Sequence, residues 1–171
     1  MTPSFRVDLL CEQHDRAAFA CGTEALDRYL RTQATQDIRR RVATCFVAVE
    51  VATGRLAAYY TIAAASLPTP QLPPEMIKRL PRYPTLPAVR IGRLAVDLKF
   101  RGRGLGAAML ADAVSRALQS PPAVFALLVD AKNDEAVAFY LRYGFQPLAS
   151  QPRTLFLPMA TAERALLSRQ Q

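Results

Sequence analysis

A strand, a glycine turn and a helix follow one another between Arg90 and Ala113, and this order constrains the chain more than any other stretch. Arg90-Ile91-Gly92-Arg93-Leu94-Ala95-Val96-Asp97 reads as an apolar strand, Arg101-Gly102-Arg103-Gly104-Leu105-Gly106 as a turn, and the run from Ala107 as a helix. Such a helix points its unpaired first amides back at the turn. Glycine admits backbone dihedrals closed to other residues and lets a ligand approach closely, while Arg101 and Arg103 add fixed positive charge. A phosphate or pyrophosphate is the natural guest.

Three phosphate loops compete for this turn, alongside a plain tight turn before a helix. A Walker loop needs Gly, four residues, then Gly-Lys-Ser/Thr, and no such string occurs. Gly102-x-Gly104-x-x-Ala107 fits a relaxed dinucleotide fingerprint, with Asp130 ending a later apolar run where a ribose-binding acid would sit. That fingerprint should follow its strand at once, yet Asp97 to Arg101 intervene. The third pattern, Gln/Arg-x-x-Gly-x-Gly/Ala, is matched by Arg101, Gly104 and Gly106 and resembles the pyrophosphate loop of the GNAT acetyltransferases. A second motif lies about thirty residues on. Val124 to Asp130 is a continuous apolar run of strand length, and Glu135 to Tyr143 reads as a helix ending at Gly144, with Ala136, Phe139, Tyr140 and Tyr143 at helical spacing. Core packing alone would produce that stripe. Asn133, Ala136, Phe139-Tyr140 and Gly144-Phe145 also resemble the Asn-x-x-Ala-x-x-Phe-Tyr-x-x-x-Gly-Phe signature of the GNAT fold.

Upstream, Phe19-x-Cys21-Gly22-x-x-x-Leu26-Asp27-x-Tyr29-Leu30, Cys45 to Val49, Ala58 to Ile62 and Arg93 to Asp97 follow in an order similar to the GNAT toxins of bacterial toxin-antitoxin pairs. The resemblance implies an α/β (α+β) GNAT fold, a mixed central sheet of about six to seven strands flanked by helices, with a V-shaped splay at the acetyl-CoA site. It implies acetyl transfer from acetyl-CoA to the alpha-amino group of aminoacyl-tRNA, which blocks translation. A small DNA-binding antitoxin encoded nearby and a second copy of the chain are the partners it suggests. An ordinary GNAT enzyme acting on a small amine or protein N-terminus, and a catalytically silent acyl-CoA-binding partner, are the alternatives.

Acyl transfer assigns roles to these residues. The turn Arg101, Gly102, Arg103, Gly104, Leu105, Gly106 and Ala107 would hold the pyrophosphate, and the resemblance adds Asn133 to the cofactor-binding residues. The family steadies the acyl oxygen with a backbone amide near Leu94, Ala95 or Val96. Tyr140 is the expected proton donor to the departing sulfur, because a phenol with pKa about 10 stays protonated at neutral pH. Tyr143 is its nearest competitor. Glu50, Glu75 and Asp97 are the only acids to nominate as a base, and none has supporting spacing. An alpha-amino group, with pKa about 7.7 to 8.0 and lower still as an ester, needs little help.

Of 22 basic residues only Lys78, Lys99 and Lys132 are lysine, and the formal charge is +8, so arginine supplies nearly all of a strongly cationic surface. Guanidinium grips phosphate bidentately, which favours nucleic acid or an acidic cofactor, although arginine-rich composition also tracks genomic GC content. Candidate tRNA contacts are Arg28, Arg31 and Arg39 on one helix face, Arg79 and Arg82 in a proline-rich loop, and Arg93 on the strand before the turn. For the helix face, a solvated surface with an Asp27 to Arg31 ion pair explains the pattern as well.

The 171 residues, 51% of them hydrophobic, suit one domain spanning 1–171. Phe5 to Leu10 reads as a first strand, Gln13 to Phe19 as a short helix, and Thr23 to about Arg40 as a longer helix with Leu26, Leu30 and Ala34 inward. Phe46 to Val51 and Leu56 to Ala65 form a hairpin about Thr53-Gly54. Seven of thirteen prolines fall between Pro68 and Pro87, which predicts a long active-site loop over 68–87, with one helical turn at Met76 to Leu80 and no central strand. Thr154 to Leu157 is a last strand, followed by a helix or frayed tail. Cys11, Cys21 and Cys45 show neither metal spacing nor a disulfide framework and read as small buried hydrophobes in a reducing cytoplasm. His14 lies among charged residues and makes no triad. No apolar run is long enough to span a membrane.

Overall fold

The computed structural model describes residues 4–169. Seven strands hydrogen-bond in the order β1-β2-β3-β4-β5-β7-β6, so the expected mixed sheet flanked by helices is the observed architecture. The strands are β1 (Phe5–Leu9), β2 (Thr44–Glu50), β3 (Leu56–Pro68), β4 (Thr85–Val96), β5 (Ala126–Asp130), β6 (Gln146–Pro147) and β7 (Thr154–Pro158). Among the helices are α1 (Glu24–Arg28), α2 (Ala34–Arg39), α3 (Pro74–Ile77), α4 (Leu105–Leu118), α5 (Asp134–Arg142) and α6 (Met159–Arg169). The chain forms two compact units, one from residues up to Ala63 with Gly92–Ala113, the other from Ala64–Ile91 with residues from Val114 on.

In the first unit β1 and β2 pair antiparallel with Val7 opposite Ala48, and β2 pairs with β3 through Phe46 opposite Tyr60. A tight turn joins β2 to β3, where Gly54 takes a φ of +74° and its amide donates to the Glu50 carbonyl. Leu30, Ala34, Val47, Val49, Tyr59 and Ala95 are buried in one apolar cluster. The long helix expected from Thr23 is present with a difference. Tyr29–Gln33 form a π-helix between α1 and α2, closed by the Ala34 amide donating to the Tyr29 carbonyl. Tyr29 Oη donates to Asp37 Oδ2 at 2.8 Å across it.

Gln13 to Phe19 is not the expected helix. Its residues run through turns, with local side-chain bonds competing for the backbone: Asp15 Oδ1 accepts the Ala17 amide, and His14 Nδ1 reaches back to the Cys11 amide ahead of the segment. The Asp27 to Arg31 ion pair is also absent. Asp27 is buried and accepts the Cys21 amide at 2.9 Å, and Arg31 pairs with Glu24 instead. Cys11 is exposed, unlike the buried Cys21 and Cys45; all three are free thiols.

In the second unit β4 and β5 are parallel, with Ala88 opposite Ala126 and Ile91 opposite Val129, and β5 and β7 are antiparallel. Leu67, Leu72, Leu86, Ala126, Leu128 and Phe156 form its core. The proline-rich segment is shorter than the sequence suggested, because β3 runs on to Pro68 and β4 starts at Thr85. Pro87 therefore lies in a central strand. It is accommodated one residue before the paired register, where its carbonyl accepts the Phe125 amide and no N–H is called for on the β5 side. The helical turn lies at Pro74–Ile77, slightly earlier than expected. Among the described residues no helix is long and apolar enough to cross a membrane.

Candidate active site

The turn after β4 is built from the inside out. Asp97, only 3% exposed, closes a short 3-10 turn over Leu98–Phe100 by accepting the Lys99 amide at Oδ1, and its Oδ2 accepts the Ala20 amide. Both carboxylate oxygens are committed to backbone, so the nominated base is a structural brace. Phe100 is buried, and Gly102 and Gly104 then adopt φ values of +79° and +74°. A Cβ built on either would meet nothing within 4 Å, so these glycines answer to backbone conformation and the space beside them is open. The helix α4 starts at Leu105, two residues earlier than expected, which puts Gly106 inside its first turn. Ala108 is the residue whose amide returns to the Gly104 carbonyl, leaving the preceding amides of the first turn facing outward. That first turn carries no acidic residue. An open, left-handed glycine turn on a helix N-terminus whose first turn has no acidic residue fits a diphosphate.

The two arginines of the turn are used differently from one another. Arg101 Nη2 donates to the Cys21 carbonyl at 2.7 Å, while Arg103 lies over the Phe5 and Phe100 rings, 5.9 and 5.5 Å from their centroids. Deeper in α4, Tyr60 Oη donates to Asp112 Oδ2 at 2.5 Å and ties the helix to β3. Leu105, Met109, Leu110 and Ala113 give α4 its buried stripe.

Before the turn, β4 carries Gly92, Arg93, Leu94, Ala95 and Val96. A Cβ on Gly92 would approach Thr61 Oγ1 to 3.1 Å, so this strand position suits glycine. Ala95 is buried, and Leu94 and Val96 are half-buried. The Arg93 guanidinium stacks 3.5 Å above the centroid of the Tyr29 ring. Burial and the bond to Asp37 push the Tyr29 hydroxyl above its usual range, and Gln33 and Tyr29 together hold the Asp37 carboxyl low.

In the second unit the helix α5 is capped at both ends by its own sequence. Asn133 Oδ1 accepts the Ala136 amide at 2.8 Å, so Asn133 is the N-cap. At the other end the Gly144 amide donates to Leu141 and the Phe145 amide to Tyr140, a Schellman closure made possible by the +94° φ of Gly144. Tyr140 is 7% exposed, its ring edge-on to Phe139 and Phe145. Its hydroxyl has no hydrogen-bond partner among the described residues, and burial pushes it up to about 12. Tyr143 is the half-buried C-cap, tilted against Phe139. Asp130 pairs with Arg90 and accepts the Thr154 hydroxyl, which commits the residue a dinucleotide fold would turn toward a ribose.

Of the candidate surface arginines, Arg31 and Arg39 hold exposed ion pairs with Glu24 and Glu12, and Arg28, Arg79 and Arg82 are exposed. Glu50 accepts the Thr53 hydroxyl, and Glu75 is exposed on α3. No cluster of His, Cys, Asp or Glu among the described residues could hold a metal. Sequence reasoning missed the Arg101–Cys21 bond, the Tyr60–Asp112 anchor and the ring beneath Arg93.

Comparison with known proteins identifies the family of the chain. The family described as Acetyltransferase (GNAT) domain matches residues 79–160. The chain is 34% identical over 160 residues to a protein named tRNA-acetylating toxin from Mycobacterium tuberculosis (strain ATCC 25618 / H37Rv), covering 92% of this chain and 93% of that protein. It is similar to the solved structure of AtaT complexed with acetyl-methionyl-tRNAfMet, with a TM-score of 0.88, 27% identity, and 95% and 99% of the two chains covered. A tyrosine-to-phenylalanine mutant of AtaT, bound to the C-terminus of the antitoxin AtaR and acetyl-CoA, gives a TM-score of 0.77 at 25% identity over 96% of this chain and 99% of that one.

Proposed function

This chain belongs to the GNAT acetyltransferases, and from that premise we propose that it transfers acetyl from acetyl-CoA to the alpha-amino group of aminoacyl-tRNA, acting as a translation-blocking toxin restrained by an antitoxin. The observation that carries the reading is the open glycine turn at Gly102 and Gly104, leading into a helix whose first turn is free of acidic residues. Acetyl-CoA supplies an activated acetyl group as a thioester. The turn amides hold its diphosphate, and an amide within Leu94–Val96 on β4 steadies the charge developing on the acyl oxygen. Tyr140 passes its proton to the departing sulfur. Burial keeps its hydroxyl protonated at neutral pH, and with no hydrogen-bond partner seen among the described residues the proton is available to a thiolate forming beside it.

Asp97 is engaged by two backbone amides and is not free to serve the amine as a base. This favours an amine that is already neutral near pH 7, as an ester-linked alpha-amino group is. Arg93, fixed on Tyr29, and the exposed Arg28, Arg31, Arg39, Arg79 and Arg82 are our candidates for tRNA phosphates. Residues 1–171 act as one catalytic domain in this reading, in the cytoplasm, where charged tRNA, acetyl-CoA and reduced thiols occur together. The test is direct: incubate the protein with acetyl-CoA and a pool of charged tRNAs, then read acetylated amino acids by mass spectrometry. Transfer to charged tRNA is expected; transfer only to free amines or protein N-termini would favour an ordinary GNAT enzyme.

A further inference from the structure

The upstream motif Phe19-x-Cys21-Gly22-x-x-x-Leu26-Asp27 plays no part in the chemistry above, and Nη2 of Arg101 is spent on a backbone carbonyl rather than left free. The two meet each other. Ala20 and Cys21 have all four of their backbone groups engaged: the Ala20 amide by Asp97 Oδ2, the Ala20 carbonyl by the Leu98 amide, the Cys21 amide by Asp27 Oδ1 and the Cys21 carbonyl by Arg101 Nη2. Three of these partners come from the segment 97–101 that launches the glycine turn. The fourth, Asp27, is a buried carboxylate at the start of the helical run. Gly22 follows at a φ of +93°, where a Cβ would sit 3.4 Å from Arg101 Nη2 and 3.5 Å from Leu98 Cδ2. At that φ any side chain strains the backbone, and a Cβ there would stand in contact with the guanidinium.

We propose that Arg101 is a positioning residue, clamping the entry of the glycine turn to the Cys21 carbonyl so that residues 20–22 act as a strap that sets the turn for acetyl-CoA. A hydrogen bond from a charged donor to a part-buried carbonyl is strong enough to hold a loop whose glycines would otherwise sample many conformations. Bonded at Nη2 to Cys21, Arg101 acts on the diphosphate through the turn's shape rather than through its own charge. The inference rests on the turn being the acetyl-CoA site.

The experiment is a double-mutant cycle on acetyl-CoA affinity, with calorimetry on the wild type, Arg101→Met, Gly22→Ala and the double variant. Each single change is expected to weaken acetyl-CoA about tenfold, and the double to stay within about threefold of the weaker single, because both break the same link. In steady state the KM for acetyl-CoA should rise while kcat holds, and the salt dependence of acetyl-CoA binding should be the same for wild type and Arg101→Met. Multiplicative losses in the double variant, or a shallower salt dependence in Arg101→Met, would make Arg101 a phosphate ligand and overturn the proposal. If Arg101→Met does not fold, Gly22→Ala decides alone: unchanged acetyl-CoA affinity in that folded variant also overturns it. Failure of the wild type to bind acetyl-CoA would count against the acetyltransferase reading of the turn instead.

Discussion

The Phe145 amide donates to the Tyr140 carbonyl at 3.2 Å, while the two rings meet edge to face with centroids 5.3 Å apart. Backbone closure of α5 and the seating of the Tyr140 ring are therefore one event, which fixes the phenol without using its hydroxyl. Tyr140→Phe keeps the ring and the closure. Fold and acetyl-CoA affinity should survive, and turnover should fall by about 10² to 10⁴-fold, the range for a positioned proton donor. Burial lifts the hydroxyl from 10.0 to about 12, so the acid stays protonated through neutral and mildly alkaline pH. The kcat profile should rise as the acceptor amine loses its proton and show no descending limb from this group below about pH 11. Full transfer by Tyr140→Phe, measured with charged tRNA, would remove the assigned role.

Gly104 combines a positive φ with empty space, which separates two kinds of damage. Gly104→Ala should weaken acetyl-CoA modestly through backbone strain alone. Gly104→Glu adds a carboxylate where the diphosphate approaches, and affinity should drop by more than tenfold, at least about 1.4 kcal/mol. Titration calorimetry on both variants reads the difference, and equal losses would assign the whole effect to conformation.

The arginines should not behave alike. Arg31 and Arg39 already share exposed ion pairs with Glu24 and Glu12, whereas no side-chain partner is seen for Arg79 or Arg82 among the described residues. Neutralising Arg79 and Arg82 together should weaken tRNA binding and flatten the plot of log affinity against log salt by roughly 1 to 2 units. Acetyl-CoA affinity should be unchanged. Filter binding over a salt series checks this, and an unaltered slope would leave both residues as ordinary surface.

Asp97→Asn separates brace from base. An amide oxygen can still accept one of the two backbone amides, but the NH₂ group turns a donor toward the other, so stability should fall by about 1 to 3 kcal/mol in denaturant unfolding. The pH dependence of kcat should keep its shape in the folded fraction. Loss of the amine-side limb in the profile would restore Asp97 as a base.

What the sequence made legible was the local chemistry. The turn at 101–106, the strand before it and the Asn133 to Phe145 helix follow from glycine placement, apolar runs and capping residues, each readable within a dozen positions. Errors arose where a distant or competing partner decided the outcome. His14 and Asp15 looked like helix residues because their side-chain bonds to nearby amides leave no periodic mark. Asp27 and Arg31 sit at ion-pair spacing, yet burial gives Asp27 to the Cys21 amide. Pro87 argued against a central strand until the parallel register, starting only at Ala88, showed where its missing N–H costs nothing. The Arg101–Cys21 bond spans 80 positions of sequence, and nothing at either end announces the other.

The π-helix at Tyr29–Gln33 also bears on how this chain tolerates changes in length. Tyr29 and Asp37 are eight positions apart, and the wide turn between them lets their side chains meet. An α-helix brings residues seven apart onto one face after two turns, so a wide turn carries about one surplus residue. Excising the exposed Thr32 would relax the segment to a regular α-helix with Tyr29 and Asp37 still on one face. The same excision in the middle of α4 would turn the residues after it by about 100° and take Ala113, Val114 and Ala117 off the buried face. Natural one-residue indels among close relatives should accordingly collect between Leu30 and Gln33.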